Sequence, residues 1–146
     1  MVACGLTIHG KAAPGTTAFW NSPGWLRVLG HAAGAQELVG GQALDIAAEG
    51  RKPTARLVRD IHTRKTGALM GAALALGALA GDAGAASVET MRLTGVQLGF
   101  AFQIQDDLLN LDSSLATLGK AVGTDEARGK ATWPAAVGEK RARAEA

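Results

Sequence analysis

Two adjacent carboxylates, Asp106 and Asp107, lie in the middle of an otherwise apolar stretch of this chain. At about 100° per residue in a helix, they share one narrow face with Gln103 and Asn110. The surrounding Phe, Ile and Leu residues predict a helix buried nearly all round, where uncompensated carboxylates are costly. A hard cation such as Mg²⁺ is one compensator, because it takes oxygen ligands and is shared between protein carboxylates and a substrate phosphate. The alternative is pairing with Lys or Arg from a neighbouring helix.

Two further sets of polar side chains lie at helical spacing. The first set is Gln42, Asp45 and Glu49, and the second is His62, Lys65 and Thr66. Each has an ordinary structural interpretation. The first set could be a solvated face, Lys65 could pair with a nearby acid, and His62 could be a hydrogen-bonded histidine without chemistry. Two more lysines, Lys120 and Lys130, stand on a glycine-bearing loop that could approach a phosphate with point charges, although such loops are common on protein surfaces.

Helices must position these side chains, because no strand alternation is visible and apolar residues recur at helical spacing. We therefore predict an all-α chain. Signals for helix ends place helices over residues 26–48, 53–80 and 85–111, a break at Asp112–Ser114, a short helix near Leu115, a loop over 119–132 and a last helix from Trp133. Gly50 is the predicted stop of the first helix. The pairs Gly67/Gly71 and Gly77/Gly81 suit close helix contacts, at ~1 kcal/mol per interior Gly relative to Ala.

Length and composition limit the remaining possibilities. The 146 residues suffice for one domain; residues 1–25 lack any period, so we expect an irregular leader there and the domain over 26–146. The net charge of +2 comes without the basic stripe of nucleic-acid-binding proteins. The longest uncharged run, Thr66–Gly81, is shorter than the roughly 20 residues that span a bilayer, and no targeting signal is visible. We expect a cytoplasmic protein without a membrane span.

Four segments, in order along the chain, resemble the motifs of the trans-polyprenyl diphosphate synthases, and most closely those of the bacterial farnesyl type. Residues 40–45, GGQALD, are similar to the family's GGQxxD, and residues 61–69, IHTRKTGAL, to its IHxxKTGAL. Residues 102–110, FQIQDDLLN, are similar to the second aspartate-rich motif, FQxxDDxxD. Residues 118–134 resemble LGKxxGxD followed by GKxT(Y/W)P. The resemblance covers residues 26–146, the C-terminal half of an all-α, isoprenoid-synthase-type helical bundle.

The resemblance implies a prenyltransferase of isoprenoid biosynthesis that joins isopentenyl diphosphate to an allylic diphosphate. Asp106 would ligate Mg²⁺ bridging the allylic diphosphate, with Asp107 and Asp125 shaping the inner and outer coordination shells. The lysines that would contact this diphosphate are Lys65, Lys120 and Lys130. Thr66 and Gln103 would direct oxygen dipoles at the allylic cation. Gln42 and Asp45 would support the same wall of the site.

The chemistry of that reaction agrees with these residue types. Ionisation of an allylic diphosphate produces a carbocation and a highly charged leaving group, which metal ions and lysines stabilise. An apolar pocket between helices keeps water from the cation. The double bond of isopentenyl diphosphate attacks, and the released diphosphate can take the proton. No side-chain nucleophile is required.

Two departures from the family pattern affect these expectations. Asn110 stands where the family has a third Asp, which keeps an oxygen but loses a charge. The family's other DDxxD is missing, because Asp occurs in residues 1–101 only at positions 45, 60 and 82. We therefore expect a truncated copy of a synthase that has weak or no activity alone. As its partner we expect either a second copy, in a homodimer, or a complementing synthase chain. The alternative is a non-catalytic partner subunit of a heteromeric prenyl diphosphate synthase.

Overall fold

The computed structural model describes residues 23–116 and 129–146, and every regular element in these two ranges is helical. The helices are α1 (Pro23–Ala33), α2 (Leu38–Ala48), α3 (Ala55–His62), α4 (Ala68–Ala80), α5 (Ala85–Ala116), α6 (Trp133–Val137) and α7 (Glu139–Glu145). A π-helical turn, Thr63–Gly67, joins α3 directly to α4. The all-α prediction is therefore confirmed for the described part of the chain, and no helix in that part is long and apolar enough to cross a bilayer.

The boundaries of α2 and α3 follow from local sequence. Gly50 has a φ of +72°, the left-handed conformation that a glycine adopts cheaply after a helix, as predicted. The side chain of Thr54 accepts a hydrogen bond from the Leu57 amide at 3.2 Å, which caps α3. Pro53 consequently precedes the cap. The prediction that the helix begins at Pro53 was therefore wrong.

The first predicted helix, 26–48, is in fact two helices. The chain turns between α1 and α2, where the Gly34 amide donates to the His31 carbonyl at 3.1 Å and the Val39 amide donates to the Gly34 carbonyl at the same distance. Helix α1 begins at Pro23, so residues 23–25 of the predicted irregular leader are helical. Glycine has no Cβ, so its backbone is freer than that of other residues and it is unfavourable inside a helix. At Gly34 the chain therefore turns, although the apolar spacing had predicted a single helix.

The predicted break at Asp112–Ser114 was wrong, because α5 continues through it to Ala116. The Ser113 hydroxyl donates to the Leu109 carbonyl within the helix at 2.7 Å, and Asp112 forms an ion pair with Arg143 of α7. The predicted short helix near Leu115 is therefore the end of α5. The last predicted helix is divided at Gly138, whose φ is +89°.

The π-helical turn and α4 pack backbone against backbone on α5 through glycines on both sides. A Cβ added to Gly99 would lie 2.6 Å from the Cα of Gly67, and one added to Gly95 would lie 2.6 Å from the Cα of Gly71. Real Cβ atoms do not approach other atoms so closely, so each position requires glycine. The prediction for Gly67 and Gly71 is confirmed, and their partners on α5 are spaced in the same way.

The other predicted pair, Gly77 and Gly81, does not mediate a close helix contact. A Cβ on Gly77 would meet nothing within 4 Å, and the nearest atoms to one on Gly81 belong to its own helix. Small size alone therefore did not identify the packed glycines.

The core lies where α3, α5, α6 and α7 meet. Trp133, Ile61, Ile104 and Val58 are its largest fully buried side chains. By contrast, α5 presents an apolar stripe to the outside, formed by Met91, Leu98, Phe102 and Leu109. These four lie within about 40° of one another around the helix. The prediction of a helix buried nearly all round was therefore wrong, since Phe102 is 60% exposed.

Candidate functional site

A row of polar side chains connects the π-helical turn to α5. The Thr66 hydroxyl donates to Gln103 Oε1 at 2.9 Å, and the Gln103 amide donates to Asp106 Oδ2 at 3.2 Å. From the other side, Asn110 Nδ2 lies 3.4 Å from the same carboxylate oxygen. All four residues are half-buried. The structure thus brings Thr66, Gln103, Asp106 and Asn110 into one continuous row, which we call the polar row.

The glycine contact between the π-helical turn and α5 explains how this row forms. Gly67 follows Thr66 directly and touches Gly99 of α5. Because the two backbones approach so closely there, the Thr66 hydroxyl can reach Gln103, which is one helical turn beyond Gly99. A larger residue at either glycine would separate the helices and lengthen the Thr66–Gln103 hydrogen bond.

Lys65 is held by an acid from another helix. Its ammonium lies 2.7 Å from Asp45 Oδ2, and Asp45 is buried on α2. Helix α2 approaches through Gly41, where an added Cβ would lie 2.5 Å from the Lys65 backbone nitrogen. The ordinary interpretation of Lys65 as one member of an ion pair therefore holds in this structure. Gln42 and Glu49 are exposed, so the predicted row on α2 reduces to Asp45.

The π-helical turn carries Lys65 and Thr66 together. The hydroxyl of Thr63 donates to the Arg59 carbonyl at 2.8 Å, which ties the turn to α3. Single π-helical turns inside α-helices are rare and occur often at functional sites, because the extra residue redirects the side chains that follow. Here it lies at the meeting point of α2, α4 and α5.

Asp107 lies in a different environment from its neighbour Asp106. It is only 6% exposed, and its Oδ2 accepts a hydrogen bond from the Trp133 backbone amide at 2.7 Å. The same oxygen lies 3.4 Å from Nε2 of the buried His62. The two adjacent carboxylates, predicted on one narrow face, are therefore divided between the polar row and the core.

His62 is neutral near pH 7. Burial lowers the pKa of its imidazole to about 4, an effect larger than the opposing influence of the Asp45 carboxylate, and the Lys65 ammonium lowers it further. Its Nδ1 is buried without a hydrogen-bond partner among the described residues. The contact between His62 and Asp107 is consequently one between a neutral ring and a carboxylate.

The donor set of the polar row fits Mg²⁺. Asp106 offers a carboxylate, flanked by the amide side chains of Gln103 and Asn110, and Mg²⁺ favours oxygen ligands. Within residues 23–116 and 129–146, no three His, Cys, Asp or Glu side chains converge on a metal position. In proteins, Mg²⁺ typically takes only one or two carboxylates beside water and phosphate ligands.

The remaining predicted site residues belong to the C-terminal segment. Lys120 and Asp125 lie outside the described residues, and their assignments stay predictions. Lys130 is half-buried and follows Gly129, whose carbonyl accepts a hydrogen bond from the Gly50 amide at 3.0 Å. The segment bearing Lys130 is thus attached to the loop after α2.

Sequence reasoning missed Gly95, Gly99 and Arg59. The two glycines have a signal in the sequence, because they repeat the four-residue spacing of Gly67 and Gly71. The guanidinium of Arg59 lies 4.2 Å from the ring centroid of Phe100, an arrangement in which the ring face attracts the cation. Nothing in the local sequence around Arg59 indicates this contact, because its partner lies on another helix.

A family model described as polyprenyl synthetase matches residues 13–146. The farnesyl diphosphate synthase of Escherichia coli is 44% identical over 119 residues, which cover 81% of this chain and 40% of the relative. That of Bacillus subtilis is 42% identical over 103 residues, 70% of this chain and 35% of the relative. A heterodimeric geranylgeranyl pyrophosphate synthase large subunit from Arabidopsis thaliana is 35% identical over 116 residues, 77% of this chain and 31% of that protein.

Solved structures agree with this relationship. The FPP/GFPP synthase from Zymomonas mobilis has a TM-score of 0.67 and is 29% identical, over 84% of this chain and 38% of its own. A geranyltransferase from Helicobacter pylori, complexed with magnesium and isoprenyl diphosphate, shares the fold with a TM-score of 0.65 at 22% identity, over 83% of this chain and 40% of its own. The chain spans about 40% of the length of the Escherichia coli farnesyl diphosphate synthase. It therefore has part of the isoprenoid-synthase fold. The chain belongs to the polyprenyl synthetase family.

Proposed function

We propose that this chain carries one half of the active site of a short-chain trans-prenyltransferase, which joins isopentenyl diphosphate to an allylic diphosphate. The observation that supports this most is the polar row lying beside the Lys65–Asp45 pair, because it places a carboxylate, two amides, a hydroxyl and an ammonium around one helix junction. In a family member, such a set suits a metal–diphosphate complex on one side and a developing cation on the other.

Asp106 is the proposed direct ligand of Mg²⁺, with Asp107 and Asp125 supporting the metal position. Gln103 and Asn110 both donate to Asp106 Oδ2, which fixes the direction of the carboxylate. When bound, Mg²⁺ supplies Lewis-acid stabilisation of the departing diphosphate. Lys65, Lys120 and Lys130 are proposed to neutralise the same diphosphate with fixed positive charge.

Thr66 and Gln103 are proposed to stabilise the allylic cation. The Thr66 hydroxyl donates its hydrogen bond to Gln103 Oε1, so its oxygen lone pairs remain directed away from Gln103. Oxygen dipoles that are already oriented stabilise positive charge without reorganisation at the moment of reaction. Asp45 supports this wall indirectly, since it holds Lys65 next to Thr66.

A binding measurement tests the half-site directly. Titration of the purified chain with inorganic pyrophosphate, with and without Mg²⁺, is expected to show Mg²⁺-dependent binding. Asp106→Asn should weaken this binding by about tenfold or more, a loss of at least ~1.4 kcal/mol. Asp112→Asn is the matched control, because Asp112 is an exposed acid on the same helix that pairs with Arg143. Absence of Mg²⁺-dependent binding, or an equal effect of both substitutions, would contradict the proposal.

A second candidate function is that of a partner subunit, and the apolar stripe on α5 favours it. Met91, Leu98, Phe102 and Leu109 are exposed on one side of α5, and at about 100° per residue this side lies next to that of the polar row. Exposed apolar surfaces of this kind mark contact sites for other protein elements. The proposed occupant is a helical chain that supplies the remaining part of a synthase bundle.

Association and turnover separate the two functions. The chain would be mixed with the part of the Escherichia coli farnesyl diphosphate synthase that precedes its matched region, then assayed with Mg²⁺, isopentenyl diphosphate and geranyl diphosphate. Turnover only in the mixture, lost in Phe102→Gln, favours the partner role. Leu93→Gln is the control, since Leu93 is exposed on α5 but lies about 160° from the stripe. Turnover by the chain alone would contradict the partner role.

A further inference from the structure

The segment that carries Lys130 is attached at both ends. On one side, the Gly129 carbonyl accepts a hydrogen bond from the Gly50 amide at 3.0 Å. On the other side, the Trp133 amide donates to Asp107 Oδ2 at 2.7 Å. Lys130 lies one residue after the first attachment and three residues before the second. With so few residues between them, the two attachments leave the Lys130 backbone little room to move.

The second attachment is surrounded by packed side chains. The Trp133 ring is buried and packs nearly perpendicular to the Phe100 ring at a centroid distance of 4.9 Å. Its indole Nε1 donates to Glu145 at 2.9 Å, which ties it to α7 as well. Ala131, between Lys130 and Trp133, is also buried. Packing therefore determines where the Trp133 ring lies, and Asp107 determines where its backbone amide lies.

His62 holds Asp107 from the opposite direction. Its Nε2 lies 3.4 Å from Asp107 Oδ2, and its ring is 6.0 Å from that of Phe100. The Asp107 carboxylate is thus enclosed by α3, α5 and the start of α6. This carboxylate therefore lies in the core, whereas that of Asp106 lies in the half-buried polar row.

We propose that Asp107 is a positioning residue, which sets the place of Lys130 relative to Asp106 by holding the Trp133 amide. Asp106 and Asp107 are adjacent on α5, so their side chains point about 100° apart around the helix. The first carboxylate therefore lies in the polar row and the second faces the Lys130 segment. This role rests on the proposed function of the site. It assigns different tasks to the two carboxylates of the motif, so Mg²⁺-dependent diphosphate binding depends on Asp106 through the metal and on Asp107 through Lys130.

Two substitutions of Asp107 separate positioning from direct metal binding. Asp107→Asn keeps a carbonyl oxygen that can accept from the Trp133 amide but removes the negative charge. Asp107→Leu removes the acceptor and keeps the branched shape, with two methyl groups in place of the smaller carboxylate oxygens. Positioning predicts that Asp107→Asn keeps Mg²⁺-dependent pyrophosphate binding within about threefold of the parent chain. A loss of about tenfold or more in Asp107→Asn, equal to that in Asp106→Asn, would overturn the proposal.

The coupling to Lys130 is measured with a double substitution. Asp107→Leu and Lys130→Ala should each weaken pyrophosphate binding, and the two together should weaken it no more than Lys130→Ala alone. Additive losses would overturn the positioning role while leaving the proposed function intact. If the parent chain itself fails to bind pyrophosphate with Mg²⁺, the proposed function fails and the positioning role fails with it.

Hydrogen exchange supplies a readout that needs no ligand. The Trp133 amide should exchange slowly in the parent chain and in Asp107→Asn, and at least about tenfold faster in Asp107→Leu. The Ala142 amide, which donates within the C-terminal helices to the Gly138 carbonyl at 3.0 Å, is the internal control for folding. Should Asp107→Leu not fold, Asp107→Asn decides the question by itself. Rapid Trp133 exchange in Asp107→Asn would contradict the anchoring.

Discussion

The Lys65 ammonium lies 2.7 Å from Asp45 Oδ2, across a contact in which the backbone of α2 touches the backbone of the π-helical turn. Gly41 makes this contact possible, and Asp45 follows it by one helical turn. The glycine and the acid of the GGQALD segment are thus two parts of one arrangement: the first permits the approach and the second uses it to hold the lysine.

Substitution of Gly41 should disturb this arrangement strongly. A Cβ there would lie 2.5 Å from the Lys65 backbone nitrogen, so Gly41→Ala should lower the free energy of unfolding by about 1–3 kcal/mol through overpacking. Gly77→Ala is the matched control, because its Cβ would meet nothing and the gain in helix propensity should stabilise by about 0.5–1 kcal/mol. Urea unfolding measures both. If Gly41→Ala raised the free energy of unfolding as Gly77→Ala does, the close contact at Gly41 would be contradicted.

The Thr66–Gln103 hydrogen bond should contribute a measurable coupling energy. Thr66→Val keeps the shape and removes the donor to a half-buried amide oxygen, which should cost about 1 kcal/mol of folding free energy. A double-mutant cycle with Gln103→Leu should give a coupling of about 0.5–1.5 kcal/mol. Thr90→Val, on the exposed start of α5, should stay within about 0.5 kcal/mol. A cycle without coupling would show that the two side chains do not interact.

Acid should destabilise the fold through His62. In the unfolded chain this imidazole protonates near its ordinary pKa of 6.5, whereas burial lowers the folded value to about 4. Between these pH values the unfolded chain binds more protons, so the free energy of unfolding falls as the pH falls, by at most about 3 kcal/mol. Above pH 6.5 this contribution is constant.

Urea unfolding between pH 7 and pH 4 checks this prediction. His62→Gln should flatten the pH dependence over that range relative to the parent chain. His31→Gln is the comparison, because His31 is an exposed histidine, and it should leave the dependence unchanged. An unaltered slope in His62→Gln would mean that His62 is not buried as a neutral ring.

Phe100 and Phe102 should respond very differently to truncation. Phe100 is 7% exposed and packs against Trp133, so Phe100→Ala should cost about 3–5 kcal/mol. Phe102 is 60% exposed, and Phe102→Ala in the isolated chain should cost less than about 1 kcal/mol. Thermal or urea unfolding of the two variants measures the difference. Similar losses would indicate that the stripe on α5 is covered in solution.

Much of the site was predictable from the sequence, because helical periodicity is a local property. Gln103, Asp106 and Asn110 come together through their spacing on one helix, and their hydrogen bonds join residues three or four positions apart. The all-α class and the positions of Gly50 and Thr54 likewise depend only on neighbouring residues. The resemblance to the synthase motifs placed these local features in one family.

What the sequence could not decide depends on which element packs against which. Asp106 and Asp107 are adjacent and chemically identical, and only the arrival of Trp133 and His62 directs one of them into the core. At Asp112–Ser114 the local capping preferences predicted a break, but α5 continues, and Asp112 pairs with Arg143, which lies 31 positions along the chain. Periodicity assigns a side chain to a face of a helix, but burial is decided by contacts between residues far apart in sequence, and those exist only in the folded chain.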